Sequence, residues 1–407
     1  MTREGAAPSL TAVAGPLSHA RYWRDGVVQA VSPPGTIDLG PGYLEPCLLP
    51  VDLLREAYTA ALVKFGAAAL SYGDNRGARP LREALAVRIG RADGRPCTAS
   101  NVIITAGTSH ALYLIATLLA APGQVVLVEQ TSYDLGRVLF RDCGLRIREV
   151  PADSSGMDPA ALEEAVAAER AAGRKVAFGC LTPTFHNPTG VLTPPQRRSE
   201  LLNVARRQEI LLVEDDAYAD LDLDGAAATC SMAGLVGYQG VIRLQTFSKT
   251  LAPGLRLGWL LAEPEVASRF ARHGLFASGG SANHLASLAA TMMLRSGEYD
   301  RHLSWLRVQL KERRDALASG LQRHLGEEIS FVLPQGGFFL WLRWRGQRSE
   351  HTLTERARRS DVLVAAGTRF GTTTSPSLRL AYSFNHPDRL ADAARLLAGA
   401  WKTNSRA

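Results

Sequence analysis

The sequence is poor in cysteine. Its five cysteines, Cys47, Cys97, Cys143, Cys180 and Cys230, are odd in number, with no CxxC pair and no Cys/His spacing that could hold a metal. That usage excludes a disulfide framework and a zinc site, and it fits a reducing compartment, so a cytoplasmic, metal-free protein is expected. Also missing is any apolar run of about 18 residues, the length a membrane-crossing helix needs. The amino-terminal stretch MTREGAAPSLTAVAGPLSHARYWRDG lacks the apolar segment of a signal peptide. The net charge is +7, but the arginines are spread along the 407 residues rather than run together. Binding to nucleic acid through a basic tract is thereby excluded, and solubility and small anionic ligands remain as their use. No internal repeat is visible, and the only compositionally biased stretch is the Ala-, Pro- and Gly-rich start.

What is present is a chain 46% hydrophobic and 21% charged, enough for a large core and two domains. Residues 1–36 read as an amino-terminal arm. From 37 to 300, apolar runs alternate with Ala/Leu-rich helical stretches. The runs are NVIITAG, QVVLVEQ, RIREVPA, KVAFGCLTP, ILLVEDD, VIRLQTF and LRLGWLLA, and TSHALYLIATLLA and DPAALEEAVAAERAAG are helices between them. This alternation predicts βαβ units, hence an α/β fold with a mostly parallel seven-stranded sheet covered by helices on both faces. From 301 to 407 the texture changes to a long charged helix, LRVQLKERRDALASGLQRHL, followed by strands in FVLPQGGFFLWLRW and SLRLAYSF. This part reads as a smaller α+β domain, onto which the first residues after the arm would pack.

Within this frame one lysine stands out. Lys249 lies between the buried runs VIRLQTF and LRLGWLLA, with Thr246, Ser248 and Thr250 around it and Arg256 seven residues on. A lysine at a strand end can simply be solvated, its stem on apolar surface. It can also form a Schiff base with a phosphate-bearing carbonyl compound, and that reading requires partners. Thr108 and Ser109, in AGTSHAL, open a helix after a strand, where free N–H groups suit a phosphate or merely cap the helix. Asp215 and Tyr218, in VEDDAY, end another strand, where they suit a protonated ring nitrogen and a ring oxygen, or a cap and a core ring. Asn187, in TPTFHNPTG, ends a third, in a rigid turn able to aim its amide into a cleft. In parallel sheets ligands bind at the carboxyl ends of strands, and all these groups occupy that position. Together they fit one ligand, pyridoxal 5′-phosphate: phosphate at Thr108, Ser109, Thr246, Ser248 and Arg256, ring nitrogen at Asp215, ring oxygen at Asn187 and Tyr218, aldehyde at Lys249.

The motifs IDLGPGYLEP, SYGDNRGARPLREALA, HNPTG, EDDAY, FSKTLAPGLRLGW, PQGGFFLWL and SLRLAYSF occur in that order from residue 37 to residue 384. In this order the chain resembles the fold-type I, class I/II aminotransferases that use pyridoxal phosphate. It is most similar to the branch of kynurenine and α-aminoadipate aminotransferases and of the carboxyl-terminal domains of MocR-type regulators. The resemblance implies that Lys249 holds the cofactor aldehyde and shuttles the Cα proton, and that Asp215 keeps the ring nitrogen protonated. It implies Asn187 and Tyr218 on the ring oxygen, with Tyr133, from QTSYDL, stacked on the ring. Tyr72 would reach a neighbouring subunit's phosphate, hence a homodimer with shared sites. Arg379 would grip the substrate carboxylate near the Gly42 backbone, and Tyr43, the 72–79 segment and Phe370 would line the side-chain pocket. The chain departs from the family pattern at His186, Thr131, Asn75, Arg76 and Arg79, which bears on the substrate rather than on cofactor binding.

The function implied is transfer of an amino group from an L-amino acid to a 2-oxoacid. The same scaffold also supports β/γ-elimination, replacement, cyclisation or oxidative chemistry in specialised metabolism, and the residues named so far do not separate these. A regulatory role would need a helix-turn-helix domain ahead of IDLG, for which about 36 residues do not suffice.

Overall fold

The computed structural model describes residues 32–33, 35–225 and 230–402; most of the expected arm lies outside them. The seven apolar runs all form strands of one sheet: β1 (Val102–Thr105), β2 (Val125–Glu129), β3 (Arg146–Val150), β4 (Val176–Leu181), β5 (Leu211–Asp215), β6 (Val241–Thr246) and β7 (Gly258–Leu261). Their order across the sheet is β1-β7-β6-β5-β4-β2-β3. The pairs from β3 to β6 are parallel, and β7 runs antiparallel to both β1 and β6. β1, β2, β6 and β7 are buried along their whole length, as strands covered on both faces must be.

Alternation along these strands assigns each residue to a face. Val213, Ile242, Leu244 and Leu260 share one apolar cluster with helix α3 (Thr108–Leu118), while Leu212, Val241 and Leu261 belong to the larger cluster on the other side. Preceding α3 in the chain are α1 (Val51–Phe65) and α2 (Arg79–Asp93). α4 (Asp134–Asp142) follows β2, and α5 (Pro159–Ala171) and α6 (Pro195–Arg207) flank β4. α5 begins where its sequence says it should. Asp158 accepts from the Ala160 and Ala161 N–H groups at 2.8 and 3.3 Å, and Pro159 supplies a first-turn residue that needs no N–H partner.

A second, four-stranded antiparallel sheet holds β8 (Ile329–Ser330), β9 (Phe339–Trp344), β10 (Ala365–Ala366) and β11 (Ser377–Ala381) in the order β8-β9-β11-β10. In the stretch FVLPQGGFFLWLRW the strand begins only at Phe339. Two glycines interrupt the alternation there: a Cβ on Gly336 would lie 2.4 Å from the Leu221 carbonyl oxygen, and Gly337 has φ +77°. Residues 331–338 thus form a loop against the turns that follow β4 and β5 rather than an extended strand. The charged helix starts eight residues earlier than its apolar periodicity suggests, forming α7 (Glu298–Leu325), and it packs on α8 (Pro387–Lys402). Gly320 permits that approach, since a Cβ there would come 2.8 Å from Ala394 Cβ. Ile37–Asp38 pairs in parallel with Val362–Leu363, so the start of the described chain is tied to its carboxyl-terminal part.

Trp401 closes α8. It is fully buried, its ring meets Trp344 edge-on at 5.8 Å, and its Nε1 donates to the Leu353 carbonyl at 2.9 Å. Trp401→Ala therefore removes a large core side chain and leaves a carbonyl unpaired. We expect it to lower unfolding stability by about 3–5 kcal/mol, read as a fall in the urea midpoint.

Candidate active site

The carboxyl ends of β1, β4, β5 and β6 lie at one edge of the first sheet, and the reversed β7 brings its amino end there too: Gly258 is in register with both Thr105 and Thr246. The turns leaving these ends carry the expected groups. After β1, Gly107 caps α3 with φ +86°, and Thr108 and Ser109 open the helix. Arg256 packs where a Gly107 side chain would go, a Cβ there falling 3.0 Å from its Nη2, and its guanidinium donates to the Ala106 carbonyl at 2.8 Å. Arg256 itself sits in the left-handed region with φ +46°. After β6, the Thr246 and Ser248 hydroxyls lie 2.9 Å apart, and the Ser248 N–H donates to Thr246 Oγ1 at 3.0 Å. A helix N-terminus, hydroxyl-bearing turns and a guanidinium therefore converge at the start of α3.

Lys249 follows directly. Its Nζ donates to the Gly42 carbonyl at 2.7 Å and lies 5.7 Å from the Tyr218 ring centre. Removal from bulk water, with Arg379 as a second cation, lowers its pKa to about 8. Asp215, at the end of β5, has Oδ1 buried with no hydrogen-bond partner. Burial first, and then the neighbouring Asp216 charge, raise its pKa to about 6, while Lys249 and His186 oppose the rise. Tyr218 is buried edge-on against Phe338 and Phe339 at 5.4 and 5.9 Å, and burial pushes its phenol up. Tyr133 precedes α4, close enough to Asp215 for that charge to help burial raise its pKa to about 12.

Arg379, on β11, donates to Asn187 Oδ1 at 2.9 Å and to the Gly40 carbonyl at 2.6 Å. It lies between two rings, Phe339 at 4.1 Å and Phe370 at 4.5 Å, and its Nε has no partner. Being buried lowers its pKa to about 10. Tyr43 packs edge-on to Phe384 at 5.1 Å. Tyr72 stands apart on the surface, 88% exposed.

Some members of the site were not read from the sequence. Gly40 holds Arg379 through its carbonyl, and Phe339 stacks on it because Trp341 and Arg379 are in register and Phe339 shares their face. His186 is buried, and its Nδ1, 2.7 Å from Thr189 Oγ1, braces the turn that carries Asn187, while its Nε2 lies 3.0 Å from Glu129 Oε2 without a hydrogen bond. Asp134 pairs with Arg369 beside Phe370. Arg76 and Arg79 turn to their own chain: Arg76 donates to Ser268 Oγ at 2.8 Å and the Ser100 carbonyl at 3.1 Å, and Arg79 pairs with Glu83 at 2.8 Å. Thr131 joins Gly371 in an isolated bridge.

A half-buried amine with a depressed pKa, a carboxylate with one orphaned oxygen and a helix amino end at one sheet edge suit an enzyme that uses a phosphorylated aldehyde cofactor. The family model for aminotransferase class I and II matches residues 49–395, and the chain belongs to that family. Among solved structures, it is similar to LysN, the α-aminoadipate aminotransferase of Thermus thermophilus, complexed with N-(5′-phosphopyridoxyl)-L-leucine. The two are 32% identical with a TM-score of 0.80, covering 91% of this chain and 92% of that one. Kynurenine aminotransferase of Pyrococcus horikoshii gives a TM-score of 0.84 at 29% identity, with the same coverages. The uncharacterised HTH-type transcriptional regulator YisV of Bacillus subtilis is 32% identical over 91% of this chain and 76% of its own length. The protein is a fold-type I, pyridoxal phosphate-dependent aminotransferase. Its residues fit that cofactor: the orphaned Asp215 Oδ1 matches a protonated ring nitrogen, and the Gly107 turn leaves room for Arg256 beside the α3 amino end.

The raised pKa of Asp215 has a consequence for the cofactor-free protein. The folded state holds a proton on this group up to about pH 6, whereas the unfolded chain releases it near 4. Stability from this group is therefore full below about pH 4 and is lost as pH rises to about 6. Cofactor-free Asp215→Asn is expected to match wild type at pH 4 and to exceed it at pH 7 by about 2–3 kcal/mol, measured by urea unfolding at both pH values.

Proposed function

We propose that the groups at this sheet edge act as one transamination site, with an L-amino acid as donor and a 2-oxoacid as acceptor. The observation that carries the reading is Asp215 Oδ1, buried and unpartnered in the same cleft as the depressed amine of Lys249. When bound, the cofactor supplies an aldehyde that condenses with amines and a ring that takes up the electron pair left by Cα–H removal.

Everything else falls to the chain's own residues. Thr108, Ser109, Thr246, Ser248 and Arg256 bind the phosphate. Asp215 holds the proton on the ring nitrogen, Asn187 and Tyr218 donate to the ring oxygen, and Tyr133 covers the ring face. Lys249 holds the cofactor and then carries the Cα proton, for which a pKa of about 8 suits neutral solution. Arg379 takes the substrate α-carboxylate with its planar fork, the Gly42 backbone nearby, and the stacked rings of Phe339 and Phe370 hold its plane. Tyr43 and Phe370 lie on the substrate side.

In this reading residues 37–300 are the cofactor-binding domain and 301–407 a smaller one. The exposure of Tyr72 supports a homodimer in which it completes the partner's phosphate site. The five cysteines, all unpaired, support a cytoplasmic protein, and among the described residues no helix is long and apolar enough to cross a membrane.

Borohydride reduction of the loaded enzyme and peptide mapping should place the cofactor on Lys249, and Lys249→Ala should lose both the label and the reaction. A label on another lysine overturns the assignment. Given an amino acid alone, the enzyme should complete one stoichiometric half-turnover and release a 2-oxoacid; 2-oxoglutarate or pyruvate should then restart it. Release of a side-chain leaving group instead would favour elimination chemistry.

The dimer is tested by sedimentation. Wild type should run as a homodimer at assay concentration, and Tyr72→Phe should weaken cofactor retention without dissociating it. A fully active monomer contradicts the shared site.

A further inference from the structure

Behind Asp215, on the opposite face of the sheet, lies a cavity of about 220 Å³ that the reaction does not use. Alternation along β5 sends Asp215 toward the cofactor side and Asp216 into this cavity, and along β6 it sends Arg243 and Gln245 there too. Asp216 and Arg243 are both buried, and Arg243 donates to Asp216 Oδ2 through Nε at 2.7 Å and Nη2 at 2.5 Å. Asp216 Oδ1 has no partner. The two residues are locked together by the sheet. Glu214 is in register with Arg243 and Asp215 with Leu244, and the Asp216 N–H donates to the Leu244 carbonyl at 2.9 Å.

A buried ion pair seldom stabilises a fold more than apolar side chains of the same size would, so its place one residue from Asp215 calls for another explanation. We infer that Asp216 and Arg243 are positioning residues for transamination: as a fixed counter-charge behind β5, they set how firmly Asp215 keeps its negative charge toward the cofactor ring. The inference rests on the assignment of Asp215 to the ring nitrogen.

The surroundings support it. On the cofactor side Asp215 faces Lys249, His186, Tyr133 and Tyr218, of which Lys249 and His186 favour its charge. On the cavity side Asp216 is the adjacent like charge, and Arg243 is the cation paired with it. Arg243 also lies 3.6 Å from Asp93 on α2. The other charges around the cavity are already paired: Arg88 with Asp220 at 3.0 Å, and Arg198 with Glu214 at 3.8 Å. Arg243 is thus the group that screens Asp216 from Asp215. Without Arg243, the Asp216 charge bears on Asp215 and on any proton held at the cofactor. Without Asp216, the bare cation of Arg243 does the reverse.

The test is the pH titration of the loaded enzyme's visible absorbance between pH 5 and 9, a readout that mere loosening of the fold does not move in opposite directions. Asp216→Asn should lower the midpoint, and Arg243→Gln should raise it, each by roughly 0.5–1 pH unit. Arg243→Lys should return it to wild type, and the Asp216→Asn/Arg243→Gln double variant should return it to near wild type, because the two charges act through one another. If Arg243→Gln does not fold, Asp216→Asn, Arg243→Lys and the double variant still give the sign. Single variants that leave the midpoint in place, or move it the same way, overturn the inference. Asp215→Asn separates the two levels. If it changes the titration while the Asp216 and Arg243 variants do not, only the inference fails; if it titrates as wild type, the assignment of Asp215 itself fails.

Discussion

A carboxylate and an amine that both leave bulk water lose much of the solvation that keeps them charged, and at this sheet edge each is the other's main compensation. Burial drives the Asp215 pKa up and the Lys249 pKa down, and in both cases the attraction of the opposite group works against that shift. This balance requires a dry, rigid place where two strand ends meet, which a parallel sheet covered on both faces provides. The turns at the strand ends bring hydroxyls, an amide and a carboxylate together along one edge. The antiparallel β7 extends the edge by returning Arg256 to it.

The second sheet contributes a cation of another kind. Arg379 keeps its orientation through two aromatic faces, one amide and one carbonyl, with Nε left over. Its partners come from four places in the chain, Gly40, Asn187, Phe339 and Phe370. The geometry for binding a carboxylate is therefore a property of the folded whole and of no single segment.

That difference explains what was legible in the sequence. The seven strands were legible because each is a short apolar run bounded by turn residues. The cofactor side was legible because each group ends its strand or follows it within a few residues: Asp215 closes LLVED, Lys249 follows VIRLQTFS and Thr108 follows NVIITAG. The stacking of Phe339 on Arg379 depends on the register of β9 and β11, which residue types alone do not fix. The surroundings of His186 depend on Glu129, on another strand, and the arginines at 76 and 79 read as bearing on the substrate until their partners Ser268 and Glu83 are in place. The eight-residue delay of β9 followed from Gly336 and Gly337, whose close contacts belong to the tertiary structure.

The pairing of Ile37–Asp38 with Val362–Leu363 has a mechanical consequence. It makes the Gly40–Tyr43 segment an outrigger of the carboxyl-terminal part of the chain, although this segment precedes every strand of the first sheet. The Gly40 carbonyl that touches Arg379 and the Gly42 carbonyl that touches Lys249 are thereby anchored by a strand pair to the part of the chain that carries the arginine. The Gly40 contact of Arg379 belongs to that part of the chain, whereas its Asn187 contact reaches across to the turn after β4. Arg379 is accordingly a tie between the two sheets, held from one side by a carbonyl and from the other by an amide.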